Sequence, residues 1–282
     1  MFGAVFARQL TDAGAKCLVI EQRNHIGGNC FTRNENGIHV HQYGAHIFHT
    51  NNQKIWKYIN RWAEFNHYKH HIKVNHRNSI YSFPINLFTL HQMWGVTTPE
   101  KAQKKLNEVK VRIDNPKNLE EWILSQVGEE LYQTFIYGYT KKNWGCEPRE
   151  LPSGIIKRLP IRLTYNDNYF NDTYQGIPIG GYTQIFEKLL EGIPIEFGTN
   201  YLSNREELNL MAKKVVYTGA LDEFFEYDLG VLDWRSLKFE EEQHTGDYQG
   251  VSIMNYTEEQ IPYTRIIEHK HFETNNHDHS TS

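Results

Sequence analysis

The stretch Lys16-Cys17-Leu18-Val19-Ile20-Glu21, continued by Gln22-Arg23-Asn24-His25-Ile26-Gly27-Gly28-Asn29, decides how the chain starts to fold. An apolar run that short, ending in an acid, reads as a buried parallel strand. Just upstream, Phe2 to Asp12 has helical period with Val5, Phe6 and Leu10 on one face, and Ala13-Gly14-Ala15 ends it. A helix that feeds a parallel strand belongs to a βαβ crossover, which needs an earlier strand. The sequence is therefore expected to begin partway into an α/β fold, with the first strand missing before Met1. Gly3 precedes Glu21 by 18 residues, the relation of the third glycine of G-x-G-x-x-G to the acid that binds a ribose. An ordinary helix and strand would share that spacing. Gly27-Gly28, directly after the acid, lets the backbone approach a pyrophosphate as in flavin dinucleotide sites, or simply makes a turn.

Outward from this stretch, composition narrows the classes. The 282 residues suffice for one large or two ordinary domains. Lys and Arg number 30 against 34 Asp and Glu, a net charge of −4, so no overall field gathers nucleic acid or an anionic membrane. Any bound anion has to be caught by local arginines. Cys17, Cys30 and Cys146 are too few and too scattered for a disulfide framework or a zinc site, which points to a reducing, cytoplasmic setting. With no apolar run of membrane-spanning length and no charged segment ahead of one, neither membrane insertion nor export is expected. Aromatic residues make up 13%, with 17 Tyr and 6 Trp, more polar-tipped ring surface than a plain core needs, so a ring-stacking ligand is expected.

Further along, Gln53 to Phe65 reads as an amphipathic helix with Ile55, Trp56, Ile59 and Trp62 on its stripe. His67 to Phe83 reads as a hairpin turning at 75–78. Leu87–Trp94, Pro99–Val111 and Leu119–Tyr137 read as three helices, the second capped by Thr98 and the third breaking at Gly128. Residues 139–176 lack periodicity yet are rich in Gly, Pro, Trp and Tyr, the mark of a functional segment. A helix Tyr182–Leu190 and two strands, Ile193–Phe197 and a buried Val215-Val216-Tyr217, follow. Leu237–Phe239, Gly250–Asn255 and Thr264–His271 alternate as antiparallel strands, and the chain from His271 onward reads as a frayed, solvated tail.

Several blocks then carry a resemblance. Phe2–Asn29, Tyr43-Gly44-Ala45-His46-Ile47-Phe48-His49-Thr50, Gly138-Tyr139-Thr140-Lys141-Lys142-Asn143-Trp144-Gly145, Lys157-Arg158-Leu159-Pro160, Asn168-Tyr169-Phe170, and Asn255-Tyr256 through Pro262-Tyr263-Thr264-Arg265 occur in family order. Together they resemble the bacterial UDP-galactopyranose mutases along nearly the whole chain. The resemblance implies an α/β fold: a Rossmann-like FAD-binding domain with an inserted helical domain and a twisted antiparallel sheet. It allots 1–65 and 177–232 to the FAD domain, 84–151 to the helical domain, and 66–83, 152–176 and 233–282 to the substrate-binding sheet. It further implies interconversion of UDP-galactopyranose and UDP-galactofuranose through a covalent adduct on N5 of reduced FAD, for galactofuranose-containing cell-surface glycans, in a cytoplasmic protein with a homodimer as its expected assembly. Missing from the resemblance are the first strand and the family's C-terminal flavin-contacting part, so weak FAD binding by this chain is expected.

Residue by residue, the resemblance puts Arg158 and Arg265 on the pyrophosphate, where a planar guanidinium binds bidentately. A solvated Arg158, and an Arg265 paired with Glu268, are the plain readings of the same positions. Phe135, Tyr139, Thr140, Trp144, Tyr169 and Asn255 are implied to contact substrate; Phe135 also fits a core stripe, and Ile136 stands where the family often has a second aromatic. The segment between Trp144 and Arg158, with Pro148, Pro152 and Gly154, reads as a lid or as a rigid loop. Gly3, Glu21, Gln22, Arg23, Gly28 and Asn29 are implied to hold FAD, with His46 beside the flavin ring. His46 and His49 lack a third ligand for zinc, so no metal is expected. Two rival readings stay open: a redox flavoenzyme of the amine-oxidase type, and a catalytically dead chain that only binds a sugar nucleotide.

Overall fold

The structure, a computed structural model, describes residues 1–157 and 159–273 and the backbone of 279–281. The chain runs through α1 (Phe2–Asp12), β1 (Val19–Glu21), β2 (Thr32–Glu35), β3 (Ile38–His41), β4 (Phe48–Thr50) and α2 (Gln53–Ile59), then the strands β5 (Ile72–His76) and β6 (Ser79–Phe83). Next come α3 (Leu87–Trp94), α4 (Pro99–Val109), α5 (Leu119–Val127), α6 (Glu129–Tyr132), a π-turn at Gln133–Tyr137, α7 (Gly138–Trp144) and β7 (Tyr174–Gly176). Last are α8 (Thr183–Leu189), β8 (Ile195–Phe197), α9 (Arg205–Met211), α10 (Leu221–Phe224) and the strands β9 (Gln243–Thr245), β10 (Ile253–Tyr256), β11 (Arg265–Ile267) and β12 (His279–Thr281). Contacts divide this path into two units, 1–67 with 176–240, and 68–175 with 241–282.

In the first unit β1 pairs in parallel with β8, Glu21 opposite Phe197, and α1 lies against α8. Ala4 and Ala7 are the small residues that let α1 close on Ile185, Phe186 and Leu189, with Ile59, Ala63 and Phe65 completing the core. The β2–β3 hairpin turns through Asn36-Gly37, both at positive φ (51° and 88°), the mirror-type turn that matches strand twist. That Asn-Gly pair was the signal for a hairpin in a stretch that reads from sequence as loop. α2 ends at Ile59, short of its apolar stripe, where both the backbone N–H and the side-chain amide of Asn60 donate to the Trp56 carbonyl. Val215-Val216-Tyr217 forms no strand, and Val215 and Val216 are 43% and 49% exposed. An apolar triplet becomes a strand only where a neighbour takes its N–H and C=O groups, and among the described residues β1 pairs with β8 alone. Leu237–Phe239, expected to alternate in a sheet, is likewise exposed and unpaired in any strand.

The second unit is built on a sheet in the order β11-β10-β5-β6. It is antiparallel at both outer pairs and parallel between β10 and β5, so the expected antiparallel sheet is mixed. The β5–β6 turn at Arg77-Asn78 again has two positive φ values. Asn118 and Thr98 cap α5 and α4, and Gly128 breaks the long helix where expected, at φ 80° with Val109 O 2.3 Å from where a Cβ would sit. Beyond the break the chain does not become irregular at 139: the π-turn passes into α7, which runs to Trp144 and ends on Gly145 in the left-handed region. Of the stretch from His271 onward read as a frayed tail, residues 274–278 and 282 lie outside the described residues; a 3-10 turn holds His269–Phe272 and β12 pairs with β9. No helix among the described residues is long and apolar enough to cross a membrane.

Candidate functional site

The residues singled out from sequence fall into two groups, one in each unit. In the second unit, β10 and β11 place Asn255 opposite Arg265, and β5 places Val74 on the other side of Asn255. Directly opposed residues share a sheet face, so Asn255 and Arg265 point the same way. Arg265 is exposed and its Nη2 donates to the Tyr139 hydroxyl, with Cζ 5.8 Å from the Tyr139 ring centroid. Glu268, the alternative partner for Arg265, is wholly buried, and its carboxylate accepts the N–H groups of Tyr248, Gln249 and Gly250. Asn255 is 5% exposed, and its Oδ1 has no hydrogen-bond partner among the described residues. A buried acceptor left open costs free energy until a donor arrives, which suits a ligand contact.

Helix α7 delivers Tyr139 to this face because the π-turn before it shifts the phase of the preceding helix. Gly138 makes the approach possible: a Cβ there would lie 2.2 Å from Thr257 O, between β10 and β11. Thr140 is buried on the same helix, and Trp144 ends it half-buried. Phe135 is 2% exposed, its ring edge-on to Tyr81 at 5.3 Å and stacked with Phe83 at 6.1 Å, so the core half of its double reading is filled. Tyr169 stands on a separate support. Its N–H donates to His70 O at 2.8 Å and its ring meets His70 edge-on at 5.4 Å. Arg162 secures that loop by donating to the carbonyls of Asn166 and Asn168 and to Asn171 Oδ1. Arg158 lies outside the described residues, while the segment between Trp144 and it carries two 3-10 turns, at Pro148–Glu150 and Ser153–Ile155.

In the first unit the loop after β1 gathers the dinucleotide candidates. Glu21 Oε1 accepts the N–H of Arg23 at 2.9 Å, which folds the loop over the end of the strand while Gln22 faces solvent. Arg23 lies over the Tyr43 ring, Cζ 4.3 Å from its centroid, and donates through Nη2 to Asn29 Oδ1 at 2.8 Å. Its Nη1 is buried without a partner among the described residues. Gly27 (φ 93°) and Gly28 (φ 55°) lead into a 3-10 turn, and a Cβ on Gly28 would meet nothing within 4 Å. An open backbone with an unfilled guanidinium beside it fits an anionic dinucleotide. A cavity of about 410 Å³ adjoins them, lined by Asn24, His25, Phe31, Gln42 and Tyr43. Gly3 opens α1, its Cβ position 3.7 Å from Thr218. His46 is half-buried with Nδ1 2.8 Å from Gly44 O, so Nδ1 carries a proton toward that carbonyl. His49 is exposed.

Tyr43, Lys142 and Arg162 carry this geometry without having been given a role from sequence; the first two stand inside blocks that carry the resemblance, and Arg162 stands outside them. Among the described residues the one trio of metal-ligating side chains is Asp247, Glu268 and His271, where Lys270 Nζ already sits 2.7 Å from Asp247.

Comparison with known proteins agrees with this layout. The family model described as UDP-galactopyranose mutase matches residues 134–282, and that of an NAD(P)-binding Rossmann-like domain matches residues 1–62. The chain is 43% identical over 280 residues to dTDP-fucopyranose mutase of Escherichia coli, covering 96% of this chain and 74% of that protein. It is 44% identical over 276 residues to the probable UDP-galactopyranose mutase of Klebsiella pneumoniae, covering 96% and 71%. A crystal structure of reduced UDP-galactopyranose mutase superposes with a TM-score of 0.67 over 99% of this chain and 70% of that one, at 16% identity, which bears on the fold alone. With a family model across more than half its length and relatives above 40% identity along nearly all of it, the chain belongs to the UDP-galactopyranose mutase family.

Proposed function

We propose that the protein interconverts UDP-galactopyranose and UDP-galactofuranose, with FAD in its reduced form as cofactor. The observation that carries this reading is the β10–β11 face, where Arg265 leans on Tyr139 beside the buried Asn255 Oδ1, which has no partner among the described residues. A guanidinium fork suits a diphosphate, and a phenol that accepts one N–H sets the direction of the others. When bound, reduced flavin supplies an electron-rich nitrogen able to take up the anomeric carbon as the diphosphate departs. The chain's own share is placement and charge. Arg265, and Arg158 on the sequence reading, steady the negative charge of the diphosphate; Tyr139 orients Arg265, and Asn255 accepts from a ligand hydroxyl. Tyr169, Trp144 and Thr140 belong to the same ligand face on this reading, and Phe135 supports it from the core. Arg23, Gly28, Asn29, Glu21 and Gly3 hold the dinucleotide, and His46 keeps Nε2 available to the flavin. The same reading makes the enzyme cytoplasmic and its product a precursor of cell-surface glycans.

A second substrate is favoured by an observation of equal weight, because the dTDP-fucopyranose mutase relative is as similar as the UDP-sugar one. Both nucleotides carry the diphosphate that Arg265 would hold, so they differ only at the base, the ribose and the sugar's C6. Oxidation of the amine-oxidase type would leave Arg265 and Tyr139 without a role. The experiment is turnover of each sugar nucleotide by dithionite-reduced protein with excess FAD. UDP-galactofuranose formed from UDP-galactopyranose, with a loss of about 100-fold or more in Arg265→Ala, is the expected result. Faster conversion of dTDP-fucopyranose would replace the substrate assignment, and full activity in Arg265→Ala would end the reading.

A further inference from the structure

Lys142 lies on α7 three residues after Tyr139, and its ammonium has an unusual set of partners. Nζ is 2.8 Å from Tyr256 O, 3.1 Å from Ile261 O and 2.8 Å from Tyr263 O. Three N–H donors thus meet three backbone carbonyls. Tyr256 ends β10, and Ile261 and Tyr263 lie in the loop that joins it to β11, so the three carbonyls bracket the loop that separates Asn255 from Arg265 in sequence. Other contacts converge on it: Tyr256 N–H donates to Thr264 O at 2.9 Å, Gly138 closes on Thr257 O, and Lys141 reaches Glu259 at 3.0 Å. The β10–β11 loop is therefore docked on α7 at both of its ends, and Arg265 leaves the loop two residues after the last clamped carbonyl.

We propose that Lys142 is the positioning residue that sets the place of Arg265 against the diphosphate, by holding the β10–β11 loop to α7 through three carbonyl bonds. This rests on the reading of Arg265 as a diphosphate ligand. A tetrahedral ammonium can serve three converging carbonyls, whereas a planar guanidinium directs its donors into a fork. Burial pulls the Lys142 ammonium down to about 8, and the neutral amine has two N–H groups and leaves one carbonyl unserved. The clamp should thus loosen as pH rises through about 8. The groups facing it are Glu258 and Glu259 of the loop, Tyr256 and Tyr263 at its ends, Tyr137, Tyr139 and Lys141 of the helix side, Glu147 beyond it, His76 of β5 against Thr257, and Arg265. Burial raises Tyr256 and Tyr263, hydrogen bonds to Glu147 and Glu259 hold Lys141 charged, and burial lowers His76, so these four titrate away from that window.

The test is titration of the protein with UDP, followed by tryptophan fluorescence between pH 7.5 and 9.5, with near-UV circular dichroism to report the fold. For the wild-type chain the expected result is affinity falling about tenfold across the range, the scale of one charged hydrogen bond, with the dichroism unchanged. Lys142→Arg, charged throughout, should bind UDP about tenfold more weakly than wild type at pH 7.5 and show no pH dependence; Lys142→Met should match it. A flat wild-type profile, or wild-type affinity in Lys142→Arg, overturns the proposal, and the wild-type series decides should the Met variant fail to fold. Arg265→Ala separates the two ideas: unchanged UDP affinity there refutes the diphosphate reading, while a loss there with normal Lys142 variants refutes the clamp alone.

Discussion

Arg265 and Glu268 stand three residues apart and do opposite things. Arg265 is exposed and turned to Tyr139; Glu268 is fully buried, and its two oxygens take N–H groups from Tyr248, Gln249 and Gly250 at 2.9, 2.8 and 3.2 Å. Those three bonds fold residues 248–250 around a single charge and leave the guanidinium nearby to Tyr139. In Glu268→Gln the amide offers one oxygen and turns an NH₂ toward backbone donors, which leaves a buried N–H unpaired. A loss of about 2–4 kcal/mol in unfolding free energy by urea denaturation is expected. An unchanged midpoint and slope would mean that the backbone bonds carry no stability. From sequence the pair also allowed an ion pair, as the plain alternative to a diphosphate role for Arg265, because spacing along a strand does not tell which of two neighbours a carboxylate faces.

Helix ends show the same dependence on local chemistry. Asn86 opens α3 with its Oδ1 accepting from Phe88 and Thr89, completes a capping box with Thr89, and donates through Nδ2 to Ser82 Oγ and Pro84 O. Being buried, it has no water to replace it. Asn86→Ala should lower stability by about 2 kcal/mol or more, read from thermal unfolding, and a loss below about 0.5 kcal/mol would show that the cap is dispensable. Of the caps, the one at Thr98 was read from sequence; those at Asn86 and Asn118 depend equally on residues adjacent in sequence but were not singled out. The extension of helix through Tyr139 to Trp144 was not legible in the sequence. A π-turn inserts a residue into the repeat, and Gly138, just past the end expected for that helix, is there for the close approach to Thr257 O.

At the scale of the whole molecule, the first unit has an uneven surface. Between Leu210 and Phe239, Leu210, Leu229 and Trp234 are at least 73% exposed, with Val231, Leu232 and Leu237 also in solvent. Apolar exposure on that scale promotes association. The chain is expected to bind an apolar fluorescent dye and to sediment as concentration-dependent oligomers at micromolar levels, and Leu229→Lys with Trp234→Lys should reduce both. Monodisperse wild-type protein with no dye signal would contradict this. The exposed Val215 and Val216 belong to the same stretch: a sequence pattern that asks for a buried strand meets no neighbouring strand among the described residues, and hydrophobicity alone cannot supply the hydrogen bonds.

Sequence by itself determined what depends on short range and on residue type. It set the helix–strand start with Gly3 and Glu21, the glycine pair at 27–28, the break at Gly128, the caps, and the block pattern that marks the family, since each is written in neighbouring residues or in fixed spacing. Tertiary structure decided what depends on residues far apart in the chain: that Arg265 meets Tyr139, 126 positions away, that Asn255 is sealed into the sheet with an open acceptor, and that three carbonyls converge on Lys142. The physical reason is that a side chain's partner is chosen by packing and desolvation once the elements have docked, and periodicity carries no record of that choice.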